Sequence, residues 1–483
     1  MGAAQKNEEH MERKSAWLGY TDSQLEELED LTERYIEFIS KNKTERLCTS
    51  AAIAAAEKAG YMPLEQAIRE QTALKAGSKV WAHAHGKALI LVNLGSNDLE
   101  KGLNILGAHI DSPRLDLKQN PLFEQHDMAY LDTHYYGGIK HYQWVTVPLA
   151  MHGVVVKTNG ETVNVNIGDE PGDPVFCVTD LLIHLANAQM GKKASEVVEG
   201  ENLDILVGNR PLVLEGGKGQ VEDDEEAKEA KANPVKAYAL LLLNEKYGIT
   251  EEDFLSAEIE MVPAGAAREM GFDRSMVLGY GQDDRVCAFP SLEAQLVVES
   301  PKTTSVCVLV DKEEIGSVGA TGMASQFFEN TMAEVFELAG ASGPLALRRS
   351  LAASRMLSSD VSAAFDPAYA AVFEAKNTAF LGRGVVFNKY TGARGKSGSN
   401  DASAECMAYI RRMMDEAGIA FQTAELGRVD AGGGGTIAYI PAKYGMDVID
   451  CGVGVLSMHS PWEVTSKADI YEAYRCYKAF LEA

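Results

Sequence analysis

The chain has 483 residues, 46% of them hydrophobic, which allows two or three domains around a large packed core. Its net charge of −25 argues against a nucleic-acid partner, because a phosphate polyanion would be repelled over most of the surface. No run reaches the roughly eighteen uninterrupted apolar residues of a membrane span, so none is expected.

The start, "MGAAQKNEEHMERKSAW", is too polar for a secretory signal. Seven cysteines (48, 177, 287, 307, 406, 451 and 476) are scattered and form no CxxC pair, which fits reduced thiols in a cytoplasm and excludes cysteine as the expected metal ligand. Thr21-Asp22-Ser23-Gln24 has the spacing of a capping box, and Leu25, Leu28, Leu31, Tyr35 and Phe38 follow with helical period. An alanine-rich helix is predicted over 44–59, stopping at Gly60. Strand-like segments follow at 79–95 and at "LNILGAHIDSP" (103–113). The middle is β-branched and alternating, with a hairpin signal at Asn159-Gly160, then an acidic loop "VEDDEEAKEAKANP" (221–234) and a helical segment at 235–248. From 257 onward apolar strands again alternate with helices, ending in a helix at 466–482. The expected organisation is one α/β domain made from residues 1–115 and 257–483, with a β-rich domain inserted at 116–256.

Without cysteine, a catalytic metal needs His, Asp and Glu. His109 ends an apolar strand, and Asp111, two residues on, faces the same side and can orient its imidazole. Asp283 and Asp284 precede a helical stretch, Asp360 closes "RMLSSD", and His459 ends "VIDCGVGVLSMH". In "VCVLVDKEEIGSVGATG" (306–322) two glutamates stand where a buried strand leaves its sheet, the place where open α/β folds bind ligands. Each feature alone reads as a cap, a solvated turn or a satisfied core histidine. Together, His109, Asp283, Glu314, Asp360 and His459 form the inventory of a two-metal hydrolase, with Glu314 a ligand and Glu313 the spare base that takes a proton from the attacking water. His83 and His85 share a strand face without a carboxylate, and a structural role is expected. The run "DAGGGGTIA" (430–438) lacks the Gly-Lys-Ser/Thr ending of a phosphate loop and suggests a close backbone approach instead.

"GAHIDSPRLDLKQNPLF", "THYYGGIKHYQW", "DKEEIGS", "ELGRVDAGGGGTIA" and "SMHSPWE" together resemble the aspartyl aminopeptidase family of di-zinc metallopeptidases, over nearly the whole chain. The resemblance implies that the α/β domain is a mixed-sheet catalytic domain, that the β-rich insert is a dimerisation domain, and that twelve subunits assemble from dimers into a tetrahedral shell. It implies two divalent ions per subunit, zinc first, with cobalt or manganese as alternatives. Residue by residue it matches one ion to His109, Asp283 and Asp360 and the other to Asp283, Glu314 and His459. Asp283 is the bridge, chosen over Asp284 by alignment of the downstream "AFPSLEAQL". Glu313 matches the catalytic glutamate, and Asp111 the carboxylate behind His109. His141 matches a histidine that reaches a neighbouring subunit's active site. Ala363 and Ala368 depart from the family's pattern after Asp360, and the longer stretch 388–403 leaves Lys389, Arg394 and Lys396 as candidates for a lysine tied to acidic substrates. The expected function is removal of the N-terminal residue, with Asp or Glu as one candidate preference, from peptides with a free N-terminus. A related di-zinc carboxypeptidase or N-deacylase, which needs a cation for the substrate carboxylate, and a non-catalytic shell protein, which has no need of Glu313, are the alternatives.

Overall fold

The computed structural model describes residues 14–213, 225–392 and 395–483. They form two compact units, one from the chain up to Ser112 with Ala267–Met458 and Trp462–Ala483, the other from Pro113–Ala266 with His459–Pro461.

The first unit is built on a nine-stranded mixed sheet. At its centre four strands run parallel in the order Thr304–Val310, Leu103–His109, Arg355–Ser358 and Asp447–Gly452. Parallel strands covered on both faces read as continuous apolar runs, which is why "SVCVLV" and "LNILGAH" carry no polar alternation. Ile105, Val308, Met356 and Val448 pack into one cluster, while Leu106, Leu357 and Ile449 join another that includes Tyr477 and Phe480 of the last helix, Lys467–Glu482. The helix Asp22–Lys41 starts from the expected capping box at Thr21 and buries Leu28, Leu31, Tyr35 and Ile39. Val310 pairs with His109, so these two strands end level, and the turns that follow them open on the same edge. Leu106 is fully buried in this core. Leu106→Ala should lower the melting temperature through a loss of about 2–5 kcal/mol, measurable by calorimetry. An unchanged transition would mean the site collapses without a cavity.

A five-stranded sheet in the same unit places Met276–Gly279 beside Glu463–Ser466, with Gly279 opposite Glu463. Gly452 permits the return toward Asp360, since a Cβ there would lie 1.8 Å from the Asp360 carbonyl oxygen.

The second unit contains a six-stranded antiparallel sheet in the order Thr162–Ile167, Leu149–Val156, Ala257–Pro263, Arg114–Gln125, Met128–Tyr136 and Ile205–Gly208. The hairpin expected at Asn159-Gly160 joins the first two of these, and the helix Pro234–Tyr247 ends on Gly248 in the left-handed region. In the acidic stretch a helix spans Glu225–Ala232, while 214–224 lie outside the described residues. One expectation needs correction. Residues 257–263 do not open the second part of the catalytic domain but supply a strand between Leu149–Val156 and Arg114–Gln125. This unit therefore spans 113–266, wider than the expected 116–256. Apolar alternation marks a strand without naming its partner. Here the partner is set by register, which also brings Arg114 Nε to 3.2 Å from the buried Glu260 carboxylate.

Candidate metal centre

His109, at the end of its strand, is buried, and its two nitrogens have different neighbours. Nδ1 lies 3.0 Å from the Asp111 carbonyl oxygen and 3.3 Å from its Oδ1, which holds the proton on Nδ1. Nε2 faces carboxylates: Asp283 Oδ1 at 3.2 Å, and Glu313 Oε2 and Asp360 Oδ1 each at 3.9 Å. Two overlapping groups, His109 with Asp283 and Glu314, and His109 with Asp284 and Asp360, have their ligand atoms within 4.8 Å of one another.

Asp111 does more than orient the imidazole. Its Oδ1 and Oδ2 accept the backbone N–H groups of Glu313 and Glu314, each at 3.2 Å, so one buried carboxylate holds both the histidine and the turn bearing the two glutamates. Asp283 is seated through its backbone: its N–H and that of Gln282 donate to Glu463 Oε2 at 3.1 and 2.7 Å, and Ser112 Oγ donates to its carbonyl at 2.6 Å. Asp283 and Asp284 have non-helical backbone angles ahead of the regular helix, in keeping with their expected place at its start. Asp284 Oδ2 accepts the His109 amide at 3.4 Å.

The electrostatics are those of crowded negative charge. Burial first, and then the charges of Asp284 and Glu313, push the Asp360 carboxyl well above the carboxylate range. Burial likewise raises Asp284. For His109 burial acts downward, yet hydrogen bonds to Asp111 and Asp283 outweigh it, and the imidazole is held well above its usual value. Imidazole nitrogen and several carboxylate oxygens around one point, with a surplus of negative charge, fit a divalent cation such as zinc. His109, Asp283, Asp284, Glu314 and Asp360 are the described residues that this arrangement gathers.

Two of the predicted residues belong to the second unit. His459 has φ 64° and its Nδ1 lies 2.7 Å from the Gly138 carbonyl oxygen. His141 has Nδ1 2.9 Å from the Val198 carbonyl oxygen, with its ring 4.8 Å from that of Tyr135. Of the candidates for an acidic-substrate lysine, Lys389 and Lys396 are both ion-paired with Asp401, which competes with any substrate carboxylate, and Arg394 lies outside the described residues.

Residues 38–481 match the family described as aminopeptidase I zinc metalloprotease (M18). This chain belongs to the M18 aminopeptidase family. A probable M18 family aminopeptidase 1 from Clostridium acetobutylicum is 57% identical over 470 residues, covering 97% of this chain and 98% of that one. Among solved structures, the M18 aminopeptidase of Thermotoga maritima has a TM-score of 0.89 at 43% identity, covering 98% of this chain and 99% of the other. Aminopeptidase I of C. acetobutylicum has a TM-score of 0.87 at 55% identity with the same coverage. A Saccharomyces cerevisiae structure described as the mApe1 dodecamer, 20% identical with a TM-score of 0.74 over 94% of this chain and 96% of its own, shares the fold. As an M18 member the chain is a metallo-aminopeptidase, a hydrolase of peptide bonds, and neither the carboxypeptidase or deacylase alternative nor the silent shell is favoured.

Glu463 and Ser112, which seat Asp283, are not singled out by the sequence alone. Ser112 follows Asp111 directly, and Glu463 closes the quoted "SMHSPWE", so both stood inside recognised motifs. What was missing was the pairing of Gly279 with Glu463, which sets Glu463 under the Asp283 amide. Glu463→Gln should reduce thermal stability by about 1–3 kcal/mol and weaken metal binding. Titration of the metal-free protein alongside a melting curve tests both, and wild-type values would make Glu463 a bystander.

Proposed function

We propose that this chain removes the first residue of peptides using two divalent ions, zinc in the first instance. His109, Asp283 and Asp360 would hold one, and Asp283, Glu314 and His459 the other, with Asp283 shared. The observation that carries this is the division of labour at His109, whose Nδ1 is fixed by Asp111 while Nε2 is surrounded by Asp283, Glu313 and Asp360. Ions bound there would polarise the scissile carbonyl and make water acidic enough to attack at neutral pH. Glu313 then accepts the proton of the attacking water and returns it to the leaving amine. Asp111 keeps Glu313 in reach by holding its amide. A free substrate amino group bound at the same centre limits cleavage to the first residue.

The second unit is the dimerisation domain of a tetrahedral homododecamer, a reading supported by the apolar side chains it leaves exposed, Leu181, Leu182, Ile183, Leu185 and Met190, and by the fold shared with a dodecameric structure. The protein works in the cytoplasm in this proposal, in keeping with seven free cysteines, six of them buried. Metal analysis of the purified protein with assays on amino-acid p-nitroanilides tests the core of this. Two ions per chain and release of the first residue are expected, and one ion per chain with full activity would refute the two-metal scheme.

His141 is proposed to serve the neighbouring subunit's active site. His141→Ala should lower turnover by about 10²–10³-fold, the worth of one donor to a developing oxyanion, with both ions retained. Mixing it with Glu313→Gln protein under subunit exchange should restore part of the activity, because some sites then combine an intact Glu313 with a donated His141. A verified exchange that restores nothing would place His141 in its own subunit's chemistry or outside it.

A further inference from the structure

The turn bearing Glu313 and Glu314 is also held from behind. Strand Ala88–Asn93 pairs antiparallel with Thr304–Val310, Leu89 opposite Leu309, and continuing that register sets Lys87 across from Asp311. Lys87 Nζ lies 3.0 Å from Glu45 Oε1 and 3.8 Å from Asp311 Oδ2, and all three residues are buried. The "WAHAHG" hairpin delivers this lysine: the Gly86 amide donates to His83 Nδ1 at 3.1 Å and Arg46 Nη1 to the His85 carbonyl at 3.0 Å. The His83 ring and the His85 carbonyl thus shape this turn.

Asp311 in turn closes the loop that presents the glutamates. Its amide donates to the Thr321 carbonyl at 3.2 Å, and its Oδ2 accepts from Thr321 Oγ1 at 2.6 Å and from Lys312 Nζ at 3.0 Å. Within the loop the Ser317 amide donates to the Lys312 carbonyl at 2.6 Å. The chain folds back so closely that a Cβ at Gly322 would lie 2.3 Å from the Ser317 carbonyl oxygen. The turn is thus clamped between Asp111 on the side of His109 and Asp311 on the side of Lys87.

We propose that Lys87 is a positioning residue for catalysis, its ammonium shared between Glu45 and Asp311 so that the Glu313–Glu314 turn stands at its working distance from His109. This rests on Glu313 being the base. Without the ammonium the buried Glu45 and Asp311 carboxylates lose the cation they share, and the loop that Asp311 anchors must shift. Misplacement of a reacting group by about 1 Å can cost 10²-fold in rate.

The test uses the full-length, metal-loaded protein as Lys87→Met, Lys87→Gln and the double variant Glu45→Gln/Lys87→Met, with Glu313→Gln alongside. Each folded Lys87 variant should lose about 10- to 100-fold in kcat while KM stays within about twofold, the signature of a mispositioned base. The double variant also neutralises the Glu45 carboxylate that Lys87 contacts, so its melting temperature should recover while kcat stays low. Recovery of kcat together with stability would reduce Lys87 to a counter-charge for Glu45 and overturn the proposal. So would wild-type kcat in either single variant when Glu313→Gln is inactive. If Glu313→Gln itself remains active, the assignment of the base falls and this inference with it.

Discussion

Glu313→Gln should lower kcat by about 10²–10⁴-fold, the usual worth of a positioned general base, while the metal content and the melting temperature stay near wild type. The substitution keeps the shape of the side chain and removes its basicity. The bond to Asp111 is made by the Glu313 backbone amide, so the turn loses no anchor. The neighbouring Glu314, and not Glu313, belongs to the group with His109 and Asp283 whose atoms could share an ion. Kinetics on an amino-acid p-nitroanilide, paired with metal stoichiometry, separates the two effects. If the ions leave with the substitution, Glu313 and Glu314 have exchanged roles.

The second large effect is expected at Asp283. Its Oδ1 lies 3.2 Å from His109 Nε2, nearer than Glu313 and Asp360 at 3.9 Å, and its backbone is fixed by Glu463 and Ser112. In the proposed two-ion scheme Asp283 is the shared carboxylate, and Asp283→Asn should then release both ions. The loss of affinity should exceed the roughly 10–100-fold typical of changes one step removed from a metal. Asp284 is the control. It accepts the His109 amide and is grouped with Asp360, so Asp284→Asn should disturb one side of the centre and leave ions measurable. Should Asp284→Asn empty both positions while Asp283→Asn keeps them, the bridge is Asp284.

Much of the candidate site was visible along the chain because its parts sit at strand ends with distinctive local patterns. His109 with Asp111, and Glu313 with Glu314 after a buried strand, are each short-range signals, and the capping box at Thr21 is another. The order of strands was not visible. Thr304–Val310 is inserted between Ala88–Asn93 and Leu103–His109, which are neighbours in sequence, and nothing in its apolar run names those partners.

The sequence alone determined which segments are buried strands, where helices begin, and which residue types meet at each turn, because hydrophobic period, caps and charge at a chain reversal are local properties. The tertiary structure decided which turns share an edge. Only pairing across about two hundred residues lets Asp111 accept the Glu313 and Glu314 amides, sets Lys87 against Asp311, and puts Glu463 under Asp283. It also assigned Ala257–Pro263 to the sheet of the second unit. Those contacts depend on sheet order and register, which arise from packing the whole core at once and leave no periodic trace in any one segment.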